Sequence, residues 1–266
     1  MKNFTFHNTT KIIFGRDQIP EIVNEIPKDN KVMIIYGGGS VKRNGTLEKV
    51  RGSLKDHTIY EFGGVEANPH YETLMQAVAL VKDKGVDFLL ALGGGSVIDG
   101  TKFVAAAACY DGDAWDIVKS YGSVVKKALP VGCVLTIAAT GSEMNNVAVV
   151  TRAETKDKLF FASPYVMPQF SVLEPELTFT LPQHQTANGV VDAFVHDTET
   201  MAIQAIDTTV AFFESMGIKT RLSDYGLGED SIPAVIDKLK EHGHVALGEH
   251  GNITPEKVEA VLKIAL

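Results

Sequence analysis

The stretch Phe88-Leu-Leu-Ala-Leu-Gly-Gly-Gly-Ser-Val-Ile-Asp-Gly-Thr-Lys102 narrows what this chain can become, because an apolar run ends in three glycines and a small-residue segment follows at once. It predicts a buried strand, a tight turn and the N-terminus of a helix running on to Cys109. Glycines at 93–95 open backbone conformations closed to other residues and leave main-chain N–H groups bare to an approaching oxyanion. The first N–H groups of the helix and the positive end of its dipole then favour a pyrophosphate at Gly94, Gly95 and Ser96. The competing reading is a turn that needs glycine for geometry alone. The spacing is not GxGxxG, so the usual dinucleotide fingerprint is absent.

The same grammar recurs upstream. Lys31-Val-Met-Ile-Ile-Tyr36 is a continuous apolar run of the kind buried on both faces of a parallel sheet, and Gly37-Gly-Gly-Ser40 follows it directly. Phe4 to Phe14 predicts a hairpin or an edge strand, Thr58 to Phe62 a short strand, and Tyr71 to Lys84 a helix with Leu74, Ala77, Val78 and Val81 on its apolar face. Ala128 to Thr136 predicts one more buried strand. Strands alternating with helices over 30–137 make an open, mostly parallel α/β sheet, which binds ligands beyond the carboxyl ends of its strands, where these glycine turns fall. After Thr178 the character changes. Leu181-Pro182 ends the extended region and Ala187 to Glu199 reads as a helix, with Asp192 and His196 four apart on one face. A carboxylate oxygen and an imidazole nitrogen suit a divalent metal such as iron or zinc, although this spacing also describes an ordinary surface pair.

Composition excludes several classes. At 266 residues and 45% hydrophobic the chain can bury a large core, and its net charge of −8 argues against a nucleic-acid footprint. No apolar run reaches membrane-spanning length and no signal peptide is visible, which makes the cytoplasm the expectation. Cys109 and Cys133 read as reduced thiols. Gly141-Ser142-Glu143 is not an esterase elbow, since GxSxG would need glycine at Met144. The late histidines His242, His244 and His250 read as surface or interface groups.

Gly93-Gly-Gly-Ser-Val-Ile-Asp99 with Lys102, Thr140-Gly-Ser-Glu143, the Pro175-to-Pro182 stretch and Gly189-Val-Val-Asp192 with His196 together resemble the iron-dependent (group III) alcohol dehydrogenases. Within them the NADP(H)-dependent butanol-dehydrogenase-like aldehyde reductases are most similar. The resemblance runs from Lys2 to Glu199 and resumes from Met201 to Leu266. It implies a Rossmann-like α/β domain over 1–180, with helices on both faces of a mostly parallel sheet, and an all-α metal domain over 181–266 that is incomplete here. Family members are longer by roughly a third, and the shortfall falls near 199–201 as an apparent internal deletion. By resemblance, Gly94, Gly95 and Ser96 hold the pyrophosphate, and Asp99 faces the cofactor. Asn68, Thr136, Thr140, Lys158 and Leu177 line the nucleotide and nicotinamide, while Asp192 and His196 are two of four metal ligands, the others being histidines from the missing part. After Tyr36 the chain offers Gly37, Gly38, Gly39 and Ser40, then Lys42 and Arg43, with no acid to repel a 2′-phosphate. The implied activity is hydride transfer between NADP(H) and an aldehyde or alcohol at Fe2+ or Zn2+, in a homodimer. A nucleotide-binding α/β protein without catalysis is the alternative.

Overall fold

The computed structural model describes residues 7–197, 210, 213–248 and 251–266, excepting the side chains of 193–197. The chain forms two compact units, Met1–Pro182 and Gln183–Leu266.

The first unit is built on a six-stranded sheet. Its strands are β1 (Lys11–Phe14), β2 (Lys31–Tyr36), β3 (Thr58–Gly63), β4 (Phe88–Gly93), β5 (Val131–Leu135) and β8 (Phe170–Leu173), in the order β1-β8-β5-β4-β2-β3. Every neighbouring pair is parallel. The helices connecting them are α1 (Ile22–Glu25), α2 (Ser40–Arg43), α3 (Thr46–Ser53), α4 (Tyr71–Lys84), α5 (Gly95–Ala108) and α6 (Trp115–Lys119). The central strands have no polar face because helices cover both sides. Met33, Ile35, Leu89, Ala91 and Cys133 point into one core with Leu74, Val78, Ile98 and Phe103, from α4 and α5. Val32, Ile34, Leu90, Leu92 and Val134 point into the other, with Ile19, Ile22, Leu47 and Val50. Alternate residues of an all-apolar run thus feed opposite cores, as strand pleating requires.

Of the two N-terminal readings, the edge strand holds for the described part: β1 pairs with β8 in parallel, while Phe4 and Phe6 lie outside the described residues. The strand expected from Ala128 starts only at Val131, after Pro130, which has no N–H for the ladder. An antiparallel hairpin, β6 (Val147–Arg152) with β7 (Asp157–Ala162), was not legible as part of the alternating pattern and stands as a separate two-stranded sheet.

Topology positions the site. From β2 the chain steps outward to β3, then crosses back to β4 on the opposite side of β2. The carboxyl ends of β2 and β4 therefore flank the point where strand order reverses, which is where open α/β sheets leave a crevice for ligands. Both glycine turns open into it.

In the second unit, α7 (Gln183–Asp197) is followed by α8 (Ile232–Glu241) and α9 (Pro255–Ile264). Ile232 and Ile236 are buried there. The junction near 199–201 lies outside the described residues, as does His250. No helix among the described residues is long and apolar enough to cross a membrane.

Candidate nucleotide site and metal-ligand pair

Strand β4 ends at Gly93 and α5 begins at Gly95, so Gly94 alone turns the chain, with φ −88° and ψ −170°. None of the three glycines has a positive φ, contrary to the expectation that their conformational freedom matters. What demands glycine is close approach. A Cβ on Gly93 would stand 2.6 Å from Val97 Cγ2, one on Gly94 would collide with Ile137 Cγ2, and one on Gly95 with Thr140 Oγ1. The turn is a narrow slot between α5 and the segment after β5, its N–H groups at the helix start lacking intrahelical partners.

Four expected residues gather around it. Asn68, itself in the left-handed region at φ 58°, donates its backbone N–H to Ser96 Oγ at 3.2 Å and accepts from Lys158 Nζ at 2.7 Å. Thr136 donates its N–H to Gly93 O at 3.0 Å, and Thr140 covers Gly95. A cation from the β6–β7 hairpin is thereby tied through Asn68 to Ser96 in this turn.

Next door, Gly37, Gly38 and Gly39 leave β2, with Gly37 O accepting from Gly64 N at 3.1 Å. Gly39 takes φ 100°, closed to most other residues, and Gly38 has nothing within 4 Å of where its Cβ would be. Ser40 opens α2, Lys42 Nζ lies 4.9 Å from the Tyr36 ring centroid, and Arg43 reaches back toward Gly39. This second turn is open and edged by cations.

Asp99 and Leu177 are placed differently from the rest. The resemblance has Asp99 facing the cofactor; here both its oxygens are held by protein, Oδ1 accepting from Ser142 Oγ at 2.6 Å and Oδ2 from Val149 N at 2.9 Å. Burial pushes its carboxyl up, opposed by the bonds from Ser142 and Val149 and by the charges of Lys102 and Lys158. Leu177 is buried in the core that contains Tyr36 and Leu92.

Sequence reasoning missed the role of Lys102, which is wholly buried and bonds Ser142, Asn145 and Val147. Burial pushes its ammonium down to about 8, against the pull of Asp99, Cys133 and Glu143. The available signal was an Asp and a Lys three apart in an otherwise small and apolar helix, charges that a buried helix keeps only when partnered. Cys133, also buried, has its thiol pushed up to about 12 by desolvation, so it is an inert core group.

In the second unit, Asp192 is exposed on α7 and His196 lies one turn later on the same helix, its side chain outside the described residues.

A doubly covered parallel sheet with glycine-lined turns at its switch point defines a Rossmann-like α/β protein. The profile of the iron-containing alcohol dehydrogenases matches residues 9–175, and the chain belongs to that family. It is 38% identical to the NADPH-dependent aldehyde reductase YqhD of Escherichia coli, over an alignment of 375 positions covering 96% of this chain and 97% of the relative. Since this chain has 266 residues, a long internal stretch of that relative stands opposite a gap. It is 50% identical over 199 residues to the probable NADH-dependent butanol dehydrogenase 1 of Bacillus subtilis, covering 74% of this chain and 51% of the relative. The chain thus spans about half the length of that butanol dehydrogenase. Among solved structures, YqhD of Escherichia coli K-12 superposes with a TM-score of 0.93 at 36% identity, covering 99% of both chains. The NADH-dependent butanol dehydrogenase A of Thermotoga maritima gives 0.70 at 35% identity, over 100% of this chain and 65% of that one.

Proposed function

We propose that the first unit binds NADP(H) across the two glycine turns and that the chain serves the interconversion of aldehydes and primary alcohols. The observation that carries this reading is the adjacency of the turns at the switch point, one narrow and faced by Lys158, the other open and without an acid. The nucleotide fits the residues present: Gly94, Gly95 and Ser96 present N–H groups and a hydroxyl to the pyrophosphate, with Asn68 holding Lys158 beside it. The space above Gly38, with Ser40 and Arg43 at its edge, suits a 2′-phosphate. An acid in that place would repel one. The names of the relatives support both cofactors, NADPH for YqhD and NADH for the butanol dehydrogenases, so the preference rests on the Gly37–Ser40 turn.

Bound NADPH supplies the hydride. The chain's part is to fix the nucleotide in the crevice through main-chain groups that need no reorganisation, with Thr136 and Thr140 from the segment after β5 closing over it.

The metal is another matter. Asp192 and His196 are chemically suited to Fe2+ or Zn2+, but two donors fall short of the about three protein ligands that a catalytic site holds. These two residues alone do not fit a complete site. That shortfall favours a second reading, a nucleotide-binding protein without catalysis in which 1–180 is the binding domain and 181–266 a remnant. A cytoplasmic homodimer is part of the proposal. Titration with NADPH and NADH by nucleotide fluorescence, together with intact mass, metal analysis and an aldehyde-reduction assay, tests it: NADPH binding without turnover selects the second reading, and no nucleotide binding rejects both.

A further inference from the structure

Helix α5 carries Asp99 and Lys102 into the interior, where they grip the same hydroxyl from two sides. Lys102 Nζ lies 2.8 Å from Ser142 Oγ, 2.8 Å from Asn145 O, 3.0 Å from Asn145 Oδ1 and 2.8 Å from Val147 O. An ammonium has three N–H groups and no acceptor, so Lys102 only donates here, its three N–H groups shared among the four acceptors. Ser142 must then spend its one proton on Asp99 Oδ1, 2.6 Å away. The hydroxyl direction is fixed by its neighbours. Ser142 also donates its backbone N–H to Thr140 Oγ1 at 3.2 Å, and the Thr140 side chain covers Gly95. A continuous set of contacts therefore runs from a buried cation to the first turn of α5.

The segment that receives Lys102 has few donors of its own. Ser142–Met144 is a single 3-10 turn, and the carbonyls of Asn145 and Val147 face the interior just before and at the start of β6. Carbonyls left unpaired away from water are costly, and an apolar side chain in place of Lys102 would take this donor from the carbonyls of Asn145 and Val147.

We propose that Lys102 is a positioning residue for the nucleotide site: its ammonium, shared among Ser142, Asn145 and Val147, clamps the Thr140–Val147 segment to α5 and so sets the width of the slot above Gly95. The inference rests on the nucleotide reading only for what occupies the slot. The clamp itself is a property of the chain alone.

Two substitutions separate charge from bulk. Lys102→Met keeps a similar stem and removes the donors; Lys102→Ala vacates a space the shape of propylammonium. Amide hydrogen exchange reports the segment directly, with β4 amides as the internal reference, and fluorescence titration reports NADPH. Expected are at least tenfold faster exchange across Thr140–Val147 in Lys102→Met with β4 unchanged, and at least tenfold weaker NADPH binding. In Lys102→Ala, propylammonium restores both while 1-propanol does not. Wild-type exchange in Lys102→Met, or equal rescue by 1-propanol, overturns the proposal in favour of simple packing. Should neither variant fold, Ser142→Ala removes only the shared hydroxyl and must loosen the same segment; if it does not, the clamp is wrong. A wild-type chain that fails to bind NADPH rejects the nucleotide reading, and the exchange data then decide the clamp by themselves.

Discussion

The side chain of Thr140 lies against the Cα of Gly95, so close that a Cβ on Gly95 would stand 2.6 Å from Thr140 Cγ2 and nearer still to its Oγ1. One residue belongs to the helix whose first N–H groups we propose face a pyrophosphate, the other to the segment that roofs it. Gly95→Val pushes them apart. Overpacking of this kind costs roughly 1–3 kcal/mol, and the displaced roof no longer matches a pyrophosphate. The expected outcome is a folded chain, by circular dichroism, that has lost NADPH binding. Affinity equal to wild type would make the turn purely structural.

Gly38 tests cofactor choice, because nothing lies within 4 Å of the Cβ position and a side chain enters without displacing anything. Gly38→Asp introduces a carboxylate where a 2′-phosphate is proposed to sit. Repulsion of two like charges a few ångströms apart near a surface is on the order of 2 kcal/mol, which is about thirtyfold in affinity. NADPH binding is expected to weaken by that order while NADH binding holds or improves. Parallel losses for both nucleotides would place the adenosine end elsewhere.

The fold was legible where periodicity was strong. The runs at Lys31–Tyr36 and Phe88–Gly93 could only be strands buried on both faces, and the helices at Tyr71–Lys84 and Gly95–Ala108 emerge at the expected places. The glycine segments were legible as turns at the carboxyl ends of strands, but not the cause of their glycines, since whether φ or a neighbour's approach demands glycine depends on Val97, Ile137 and Thr140 being folded over them. The β6–β7 hairpin was hidden because Val147-Ala-Val-Val-Thr-Arg152 and Asp157-Lys-Leu-Phe-Phe-Ala162 do not alternate apolar with polar residues, and because it stands outside the parallel sheet. Lys102 was quoted as part of a motif without a role; its partners lie 40–45 positions away, a relationship that no local pattern encodes.

Lys102 also leaves a signature in stability. Burial lowers its ammonium from 10.5 to about 8, so the native chain gives up this proton before the unfolded chain does. Between those two values the unfolded state binds more protons, and stability therefore rises with pH, by about 3 kcal/mol at most for a shift of this size. Below about 8 both states are protonated and the contribution is flat. Urea unfolding between pH 7.5 and 10.5 should show this rise in the wild type and its absence in Lys102→Met. Identical pH slopes would mean that Lys102 keeps its ordinary affinity for the proton inside the fold.

Glu174 is a second buried charge with a different task. Its Oε2 accepts the backbone N–H groups of Gln18 at 3.0 Å and Ile19 at 3.3 Å, and Oε1 lies 3.7 Å from Lys49 Nζ. It ties the turn after β1 to the end of β8. Glu174→Ala orphans the buried N–H of Ile19 and the half-buried N–H of Gln18 and should cost about 2–4 kcal/mol, whereas Glu174→Gln retains an acceptor oxygen and should cost about half as much. Chemical denaturation of the three chains gives the ranking. Equal stability of Ala and Gln variants would show that solvent reaches those N–H groups.

The metal pair gives the prediction that bears most on activity. Asp192 and His196 lie four positions apart on α7, and an ion held by these two residues alone would keep a small fraction of the chelate advantage of a four-ligand site. Iron and zinc selection also depends on ligand number and geometry, so neither would be retained strongly. A purified chain whose intact mass corresponds to 266 residues is expected to carry well under one metal ion per subunit, to bind NADPH, and to reduce aldehydes negligibly. His196→Ala should then change neither nucleotide affinity nor metal content. A chain whose measured mass is about a third larger should instead carry close to one ion and lose both metal and aldehyde reduction with His196→Ala, because the histidine would be one of a complete set. Stoichiometric metal and NADPH-dependent aldehyde reduction in a chain proven to have 266 residues would refute this account, and would require donors besides Asp192 and His196 to complete the site.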